Sequence, residues 1–293
     1  MNRTLIGALS ALALSAGAIG VGATTATAAD ANSRAIAAQS VNTTVAAKPK
    51  AVTFEGAVAL SNCSGSVVKL PNSTDQDRAL VMSNGHCLDE GFPAPGKVVV
   101  NKPSSRSFTL LNATAGNAGK IKATKIAYAT MTDTDVSLYE TDTTYAGIKQ
   151  KFGVKALELS GEHPKAGAAI SVVSGYWKKQ YTCNIDGFVH QLREGKWTWK
   201  DSVRYTPQCQ TIGGTSGSPV VDTATGKVIA VNNTGNESGE RCTDNNPCEV
   251  DQNGKITVRK GINYAQQSYQ ITQCVAKGNK VDLSLPGCTL PKP

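Results

Sequence analysis

The stretch Gly213-Gly214-Thr215-Ser216-Gly217-Ser218-Pro219 surrounds a serine with glycines. Glycine reaches backbone conformations closed to other residues, so such a turn can aim consecutive N–H groups at one point. Ser216 could attack a carbonyl carbon there while its own N–H and that of Gly214 stabilise the oxyanion that forms. The same composition also makes ordinary Gly/Ser turns that lead into strands, and the stretch alone is compatible with both.

A serine nucleophile needs a base, and the chain has 3 histidines, His86, His163 and His190. His86, in Ser83-Asn84-Gly85-His86-Cys87, directly follows the apolar run 78–82, and the adjoining half-cystine would hold its backbone. His163 precedes Pro164 in a Gly/Glu/Lys loop and His190 lies in a hairpin, so both read as exposed polar residues. The base must in turn be oriented by a carboxylate. Asp135 opens the run Asp135-Val136-Ser137-Leu138-Tyr139, where an acid at a strand start can be buried. Asp133, in the polar turn Thr132-Asp133-Thr134, is the lesser candidate. No metal site is predicted, because close C-x-x-C and H-x3-H pairs are missing and only His86 and Cys87 adjoin.

These residues must be carried by strands. From Phe54 onward, short runs of β-branched and apolar residues alternate with turn signals: 65–70, 78–83, 97–100, 120–128, 135–139, 168–174, 218–221 and 227–231. Residues 188–192 and 197–199 flank Glu194-Gly195 as a hairpin. One helix is predicted, over residues 264–275. Many short strands without long helical patterns predict an all-β domain, a sandwich or barrels. With 293 residues and 40% hydrophobic content, the chain can form one large domain or two modest ones, which excludes a wholly disordered protein. The net charge of +8 is scattered and not interleaved with aromatics, so no nucleic-acid groove is predicted.

The N-terminus reads as a signal peptide. Arg3 precedes an uncharged stretch of Leu, Ala, Gly, Ile and Val over residues 5–23, and Ala26-Thr27-Ala28 forms an A-x-A cleavage site. A membrane anchor is the rival reading, weakened by frequent Gly, Ser and Ala. The protein is therefore expected to be secreted, without stable membrane insertion after cleavage. Eight cysteines remain, and an even number in an oxidising compartment predicts four disulfides.

Three of these motifs together resemble the chymotrypsin-like (trypsin-fold) serine proteases. GTSGSPV is similar to that family's nucleophile motif, NGHC to its A-x-H-C motif and DVSL to its D-[IV]-[AS]-L motif. Their order, His then Asp then Ser, is also that family's, and the α/β-hydrolase elbow G-x-S-x-G fails because Ser218 stands at the second glycine. The resemblance covers about residues 56–275 and includes Gly261-Ile262-Asn263-Tyr264, as in bacterial members. It implies two packed antiparallel six-stranded β-barrels with a C-terminal helix. The implied layout is a signal peptide at 1–28, a low-complexity linker or short pro-segment at 29–53, a protease domain at 54–275 and a stapled tail at 276–293. Within the domain, barrel 1 would run over about 54–160 and barrel 2 over about 161–275.

Carried over by position, the resemblance implies Ser216 as nucleophile, His86 as general base and Asp135 as orienting acid. The N–H groups of Gly214 and Ser216 would form the oxyanion hole, and Asn233-Thr234-Gly235 would pair with the substrate backbone. Neither metal nor organic cofactor is implied. Animal members place an aspartate before the nucleophile to pair with a newly cut N-terminus, whereas this chain has Thr215; in this it resembles glutamyl endopeptidases and other bacterial secreted forms, whose oxyanion loop is built without that switch. The trypsin specificity position holds Gln210. Thr211 matches a threonine of the glutamyl endopeptidase pocket, and Asn232 stands where that pocket has its histidine. The resemblance also implies a Cys63–Cys87 bridge. Neighbourhood then suggests Cys183–Cys209, Cys242–Cys248 and Cys274–Cys288, with Cys209–Cys242 plus Cys183–Cys248 as the alternative. The expected function is a monomeric secreted serine endopeptidase acting on proteins or peptides. A catalytically silent binding module of the same fold is the alternative, and an esterase on another fold is disfavoured by the motif order.

Overall fold

The structure, a computed structural model, describes residues 51–293. The expected signal peptide and residues 29–50 of the expected linker lie outside the described residues. The first seven strands are β1 (Ala57–Ala59), β2 (Ser64–Lys69), β3 (Arg78–Ser83), β4 (Val98–Pro103), β5 (Ser107–Leu111), β6 (Asn117–Thr130) and β7 (Val136–Thr144). Six of them run in the order β1-β5-β6-β7-β3-β2, and pairing of β1 with β2 closes the ring into an antiparallel barrel; β4 pairs with β6 outside it. Helix α1 (Tyr145–Phe152) and β8 (Leu157–Glu158) lead onward.

The second half comprises β9 (Ala169–Ser174), β10 (Lys179–Glu194), β11 (Trp197–Tyr205), β12 (Pro219–Asp222), β13 (Val228–Gly235), β14 (Cys248–Val250), β15 (Ile256–Val258) and β16 (Asn263–Gln267). Its ring runs β11-β16-β13-β12-β9-β10 and closes through a β10–β11 pairing, with β14 and β15 extending the sheet beyond β10. Strand β10 achieves this because its first part pairs with β9 and its second with β11. Helix α2 (Tyr269–Thr272) and the pair β17 (Val275–Ala276) and β18 (Lys280–Val281) complete the chain.

Strand β3 shows why the site-bearing segments read as unbroken apolar runs. Ala79 and Val81 face the interior of the first barrel with Val58, Phe108 and Tyr139. Leu80 and Met82, on the opposite face, pack with Val173, Val221 and Val231 of the second half. Side chains alternate across a strand, so a strand that packs against apolar neighbours on both faces reads as a continuous apolar run. The same inter-barrel cluster takes in Ile271, Val275 and Leu290, so the C-terminal tail closes over the seam. Asn279, buried at φ +57°, donates to Arg78 O and to the Tyr145 hydroxyl, tying the tail to barrel 1.

Two helix expectations need correction. The predicted helix over 264–275 is instead strand β16 followed by the single turn α2. β16 lies between β11 and β13 with all five residues buried, and its glutamines are bonded there: Gln266 with Ser202, and Gln267 Nε2 to Asp201 O. Helix α1, in turn, was not expected. It has the usual punctuation: Thr144 Oγ1 caps it by accepting from Gly147 N–H, and Gly153 ends it at φ +65°. In the β10–β11 hairpin Glu194 pairs with Trp197, so the two turn residues are Gly195 and Lys196. The eight cysteines form Cys63–Cys87, Cys183–Cys209, Cys242–Cys248 and Cys274–Cys288, and the alternative pairing is absent.

Candidate active site

The base candidate sits on a 3-10 turn, Gly85–Cys87, that ends β3. A side chain at Gly85 would strike the Thr130 carbonyl, so only glycine lets the turn approach β6 this closely. Asn84 Nδ2 donates to Asp135 O and Ser137 Oγ donates to Asn84 O, both at 2.8 Å, which stitches the histidine turn to the start of β7. Cys87 is bonded to Cys63, just ahead of β2. The turn is therefore fixed on three sides.

Asp135 is fully buried and meets His86 twice. Its Oδ1 accepts the His86 backbone N–H at 3.1 Å, and its Oδ2 lies 2.7 Å from Nδ1. A carboxylate only accepts, so Nδ1 carries the proton and Nε2 presents a lone pair. Burial pushes the His86 pKa down, but the charge and hydrogen bond of Asp135, with a smaller push from Glu194, outweigh it and leave it raised. Asp133 points elsewhere, its carboxylate held by Lys200 Nζ at 2.8 Å. His163 bonds Asp201 and Gln267 away from this site, and His190 is exposed.

Ser216 lies in the turn ahead of β12, in the same cleft as His86. Its carbonyl accepts from Ser64 N–H at 2.8 Å, so a barrel 1 strand holds the turn, and its Oγ donates to Asn233 O at 3.1 Å. The turn's other carbonyls are also taken. Ile212 O accepts from Thr215 N–H, Gly213 O from the Trp177 indole, Gly214 O from Ser64 Oγ and Thr215 O from Ser218 N–H. Among the described residues the N–H groups of Gly214 and Ser216 have no protein acceptor. The N–H groups of Thr211, Ile212 and Gly213 are likewise without a protein acceptor, and those of Gly214 and Ser216 are the two that flank the serine turn where a developing negative charge would need donors.

The cleft is lined by Thr211, Gly213, Thr215, Asn232, Asn233, Thr234 and Gly235 beside His86 and Ser216. Gln210 and Gly214 lie outside this lining, and Gln210 Nε2 donates to Pro207 O. Asn232 is fully engaged, with Nδ2 donating to Thr215 Oγ1 and Oδ1 accepting from the Tyr205 hydroxyl. Several lining residues were not anticipated. Asn263 accepts from Thr211 Oγ1 at 2.9 Å, and Phe92 packs edge-on against both His86 and Trp197. Glu194 lines the wall, and burial holds its carboxyl above the usual range against hydrogen bonds from Thr234 and Asn245 and the His86 charge. Phe92 and Glu194 carried no motif that could have marked them.

No curated protein matches the chain. Among solved structures it is similar to the active form of the Rv3671c protease from M. tuberculosis, at 15% identity and TM-score 0.48 over 82% of this chain and 85% of that one. The MamO protease domain from Magnetospirillum magneticum matches at 12% identity and TM-score 0.45, over 73% and 93%. A Glu endopeptidase matches at 14% and 0.41, over 73% and 85%. Residues 63–231, more than half of the chain and including His86, Asp135 and Ser216, match the model of the trypsin-like peptidase domain. The chain belongs to the trypsin-like peptidases and is a serine-type peptidase.

Proposed function

We propose that this peptidase is a secreted endopeptidase, monomeric and without bound cofactor, that cleaves proteins or peptides through Ser216, His86 and Asp135. The observation that carries the reading is the hydrogen-bonded His86–Asp135 pair, whose His86 lines the same cleft as Ser216, with the N–H groups of Gly214 and Ser216 free of protein acceptors in the adjoining turn. Ser216 Oγ would turn its proton from Asn233 O toward His86 Nε2 and attack the substrate carbonyl, whose oxygen the two N–H groups receive. His86 would then protonate the departing amine and activate water to release the acyl group. Four disulfides favour an oxidising compartment, and among the described residues no helix is long and apolar enough to cross a membrane.

The cleft lining includes Glu194, Glu237 and Asp244 but no lysine or arginine. With Asn232 committed internally, this favours peptides with neutral or basic side chains over acidic ones, against a glutamyl preference. The catalytically silent reading draws on the Ser216–Asn233 hydrogen bond, which occupies the nucleophile's proton. A serine-directed fluorophosphonate separates the two. The proposal expects labelling of wild type and none of Ser216→Ala, which should lose about 10⁴ to 10⁶ in kcat on peptides. Unlabelled wild type or an active Ser216→Ala would overturn it, and a diverse peptide library read by mass spectrometry would define the preference.

A further inference from the structure

The carbonyl of Gly213 has one hydrogen-bond donor among the described residues, the indole Nε1–H of Trp177 at 2.7 Å. A trans peptide is planar, with its C=O and the following N–H pointing in opposite directions. Whatever holds Gly213 O on one side therefore aims Gly214 N–H at the other. Gly214 has φ +85°, and a Cβ there would press on Trp177 Nε1 and Tyr176 Cδ1 at 3.0 Å. The aromatic pair thus lies directly over the peptide it controls.

Trp177 is itself held. Its backbone N–H donates to Ser174 Oγ at 3.2 Å, Ser174 Oγ lies 3.0 Å from Ser64 Oγ, and Ser64 Oγ donates to Gly214 O at 3.1 Å. Each hydroxyl has one proton, so the chain runs in one direction, from Trp177 N–H through Ser174 and Ser64 to Gly214 O. Tyr176 N–H also donates to Ser64 Oγ, at 3.1 Å. Ser64 and Ser174 are fully buried, whereas Trp177 is 49% exposed. The anchor is rigid and the side chain is dispensable for the core.

We infer that Trp177 is a positioning residue that keeps the Gly213–Gly214 peptide turned for catalysis, in the place of a buried N-terminal ion pair. It works beside Thr215, whose Oγ1 donates to Ile212 O at 2.6 Å and closes the preceding turn. If the Trp177 bond is lost, the peptide can rotate and aim the Gly213 carbonyl at the position of the oxyanion, which it would repel. The inference rests on the proposed function for its kinetic consequence but not for its structural one.

The test is Trp177→Phe, which keeps a ring and removes the donor. On peptide amides kcat should fall about tenfold, with KM, the acid limb of the pH profile and Tm little changed. Binding of a peptide aldehyde, which forms a tetrahedral oxyanion on Ser216, should weaken by the same factor, while a product peptide binds as before. Unchanged kcat, or equal losses in KM and Tm, would overturn the inference. A second measurement needs no activity: in 15N-labelled Ser216→Ala protein, Trp177→Phe should shift and broaden the Gly214 amide resonance. An unmoved Gly214 resonance overturns the inference whether or not the protein cleaves peptides. A moved resonance in a protein whose wild type cleaves nothing would leave it standing and overturn the proposed function.

Discussion

Replacing Asp135 by Asn probes the two hydrogen bonds that orient His86. The carboxylate accepts the backbone N–H at Oδ1 and the ring Nδ1–H at Oδ2. An amide has one accepting oxygen. If that oxygen keeps the backbone N–H, the NH2 faces Nδ1, which must then accept; the ring proton moves to Nε2 and nothing is left to take the proton of Ser216. The opposite flip sets NH2 against a backbone donor at a fully buried position, and such an unsatisfied group costs about 1 to 3 kcal/mol. The first orientation wins, and with it the wrong tautomer. The expected loss is about 10⁴ in kcat, which is about 5.4 kcal/mol at 1.36 kcal/mol per tenfold.

The same variant should move the pH dependence. Burial alone would lower the His86 pKa, and Asp135 is the larger of the two charges that raise it. Wild-type activity should therefore rise above the ordinary histidine value of about 6.5, and that of Asp135→Asn below it. For stability the sign runs the other way. A raised folded pKa stabilises the fold below about pH 6.5, and the contribution is lost as pH rises through the folded value. The wild type should hold a larger Tm lead over Asp135→Asn at about pH 5.5 than at about pH 8.5. Initial rates on one peptide amide across pH, with Tm at both ends, measure all of this. A kcat within tenfold of wild type, or an acid limb that stays in place, would refute the reasoning.

Other perturbations reach different supports of the site. The double change Cys63→Ser, Cys87→Ser should lower unfolding free energy by about 2 to 4 kcal/mol in denaturant melts and reduce kcat, because it frees the chain beside His86; full activity with unchanged Tm would contradict it. Gly217→Ala should destabilise by about 2 to 4 kcal/mol, since the residue sits at φ +81° and a Cβ would strike Ser64 O and Ser83 Oγ. A neutral Gly217→Ala in the same melts would mean that the turn is not so closely held. Chains beginning at Ala29, Ala38, Ala46 and Ala51 should all be active, because the Thr215 hydroxyl is spent on Ile212 O and Asn232 and offers a new α-ammonium no charge partner. Activity in only one of them, abolished by acetylating its N-terminus, would reveal an N-terminal switch.

The residues proposed as the triad were legible because each lies in a short motif beside a strand whose apolar run is equally local, as Gly85-His86-Cys87 follows β3. Helix α1 was missed although its cap and terminal glycine are present, because Tyr145 and Ile148 are its only buried residues and leave a weak apolar stripe. Strand β16 was missed for the opposite reason. Its glutamines resemble a helix surface, and partners distant in sequence, Ser202 and Asp201 of β11 and His163, make their burial tolerable. The oxyanion turn depends on partners far away in sequence: Trp177 is 36 residues from Gly213, and Ser64 is 150 from Gly214. No local pattern can announce such a bond, so Gly214 could be proposed from its motif while the groups bonded around it could not. Gln210 shows the converse, a position that matches a motif by count while its side chain turns to Pro207.

The cysteine connectivity bears on how the chain reaches this structure. Each cysteine is joined to the next one along the sequence, at separations of 24, 26, 6 and 14 residues, and no bridge encloses or crosses another. A chain that meets an oxidant N-terminus first offers Cys87 only Cys63 as a partner, and every later pair meets its mate before a competitor arrives. Vectorial oxidation thus yields the native set with no thiol–disulfide exchange. The same chain reduced, unfolded and released all at once faces about 105 pairings of eight thiols, so its recovery should depend on a redox shuffle that directional synthesis makes unnecessary.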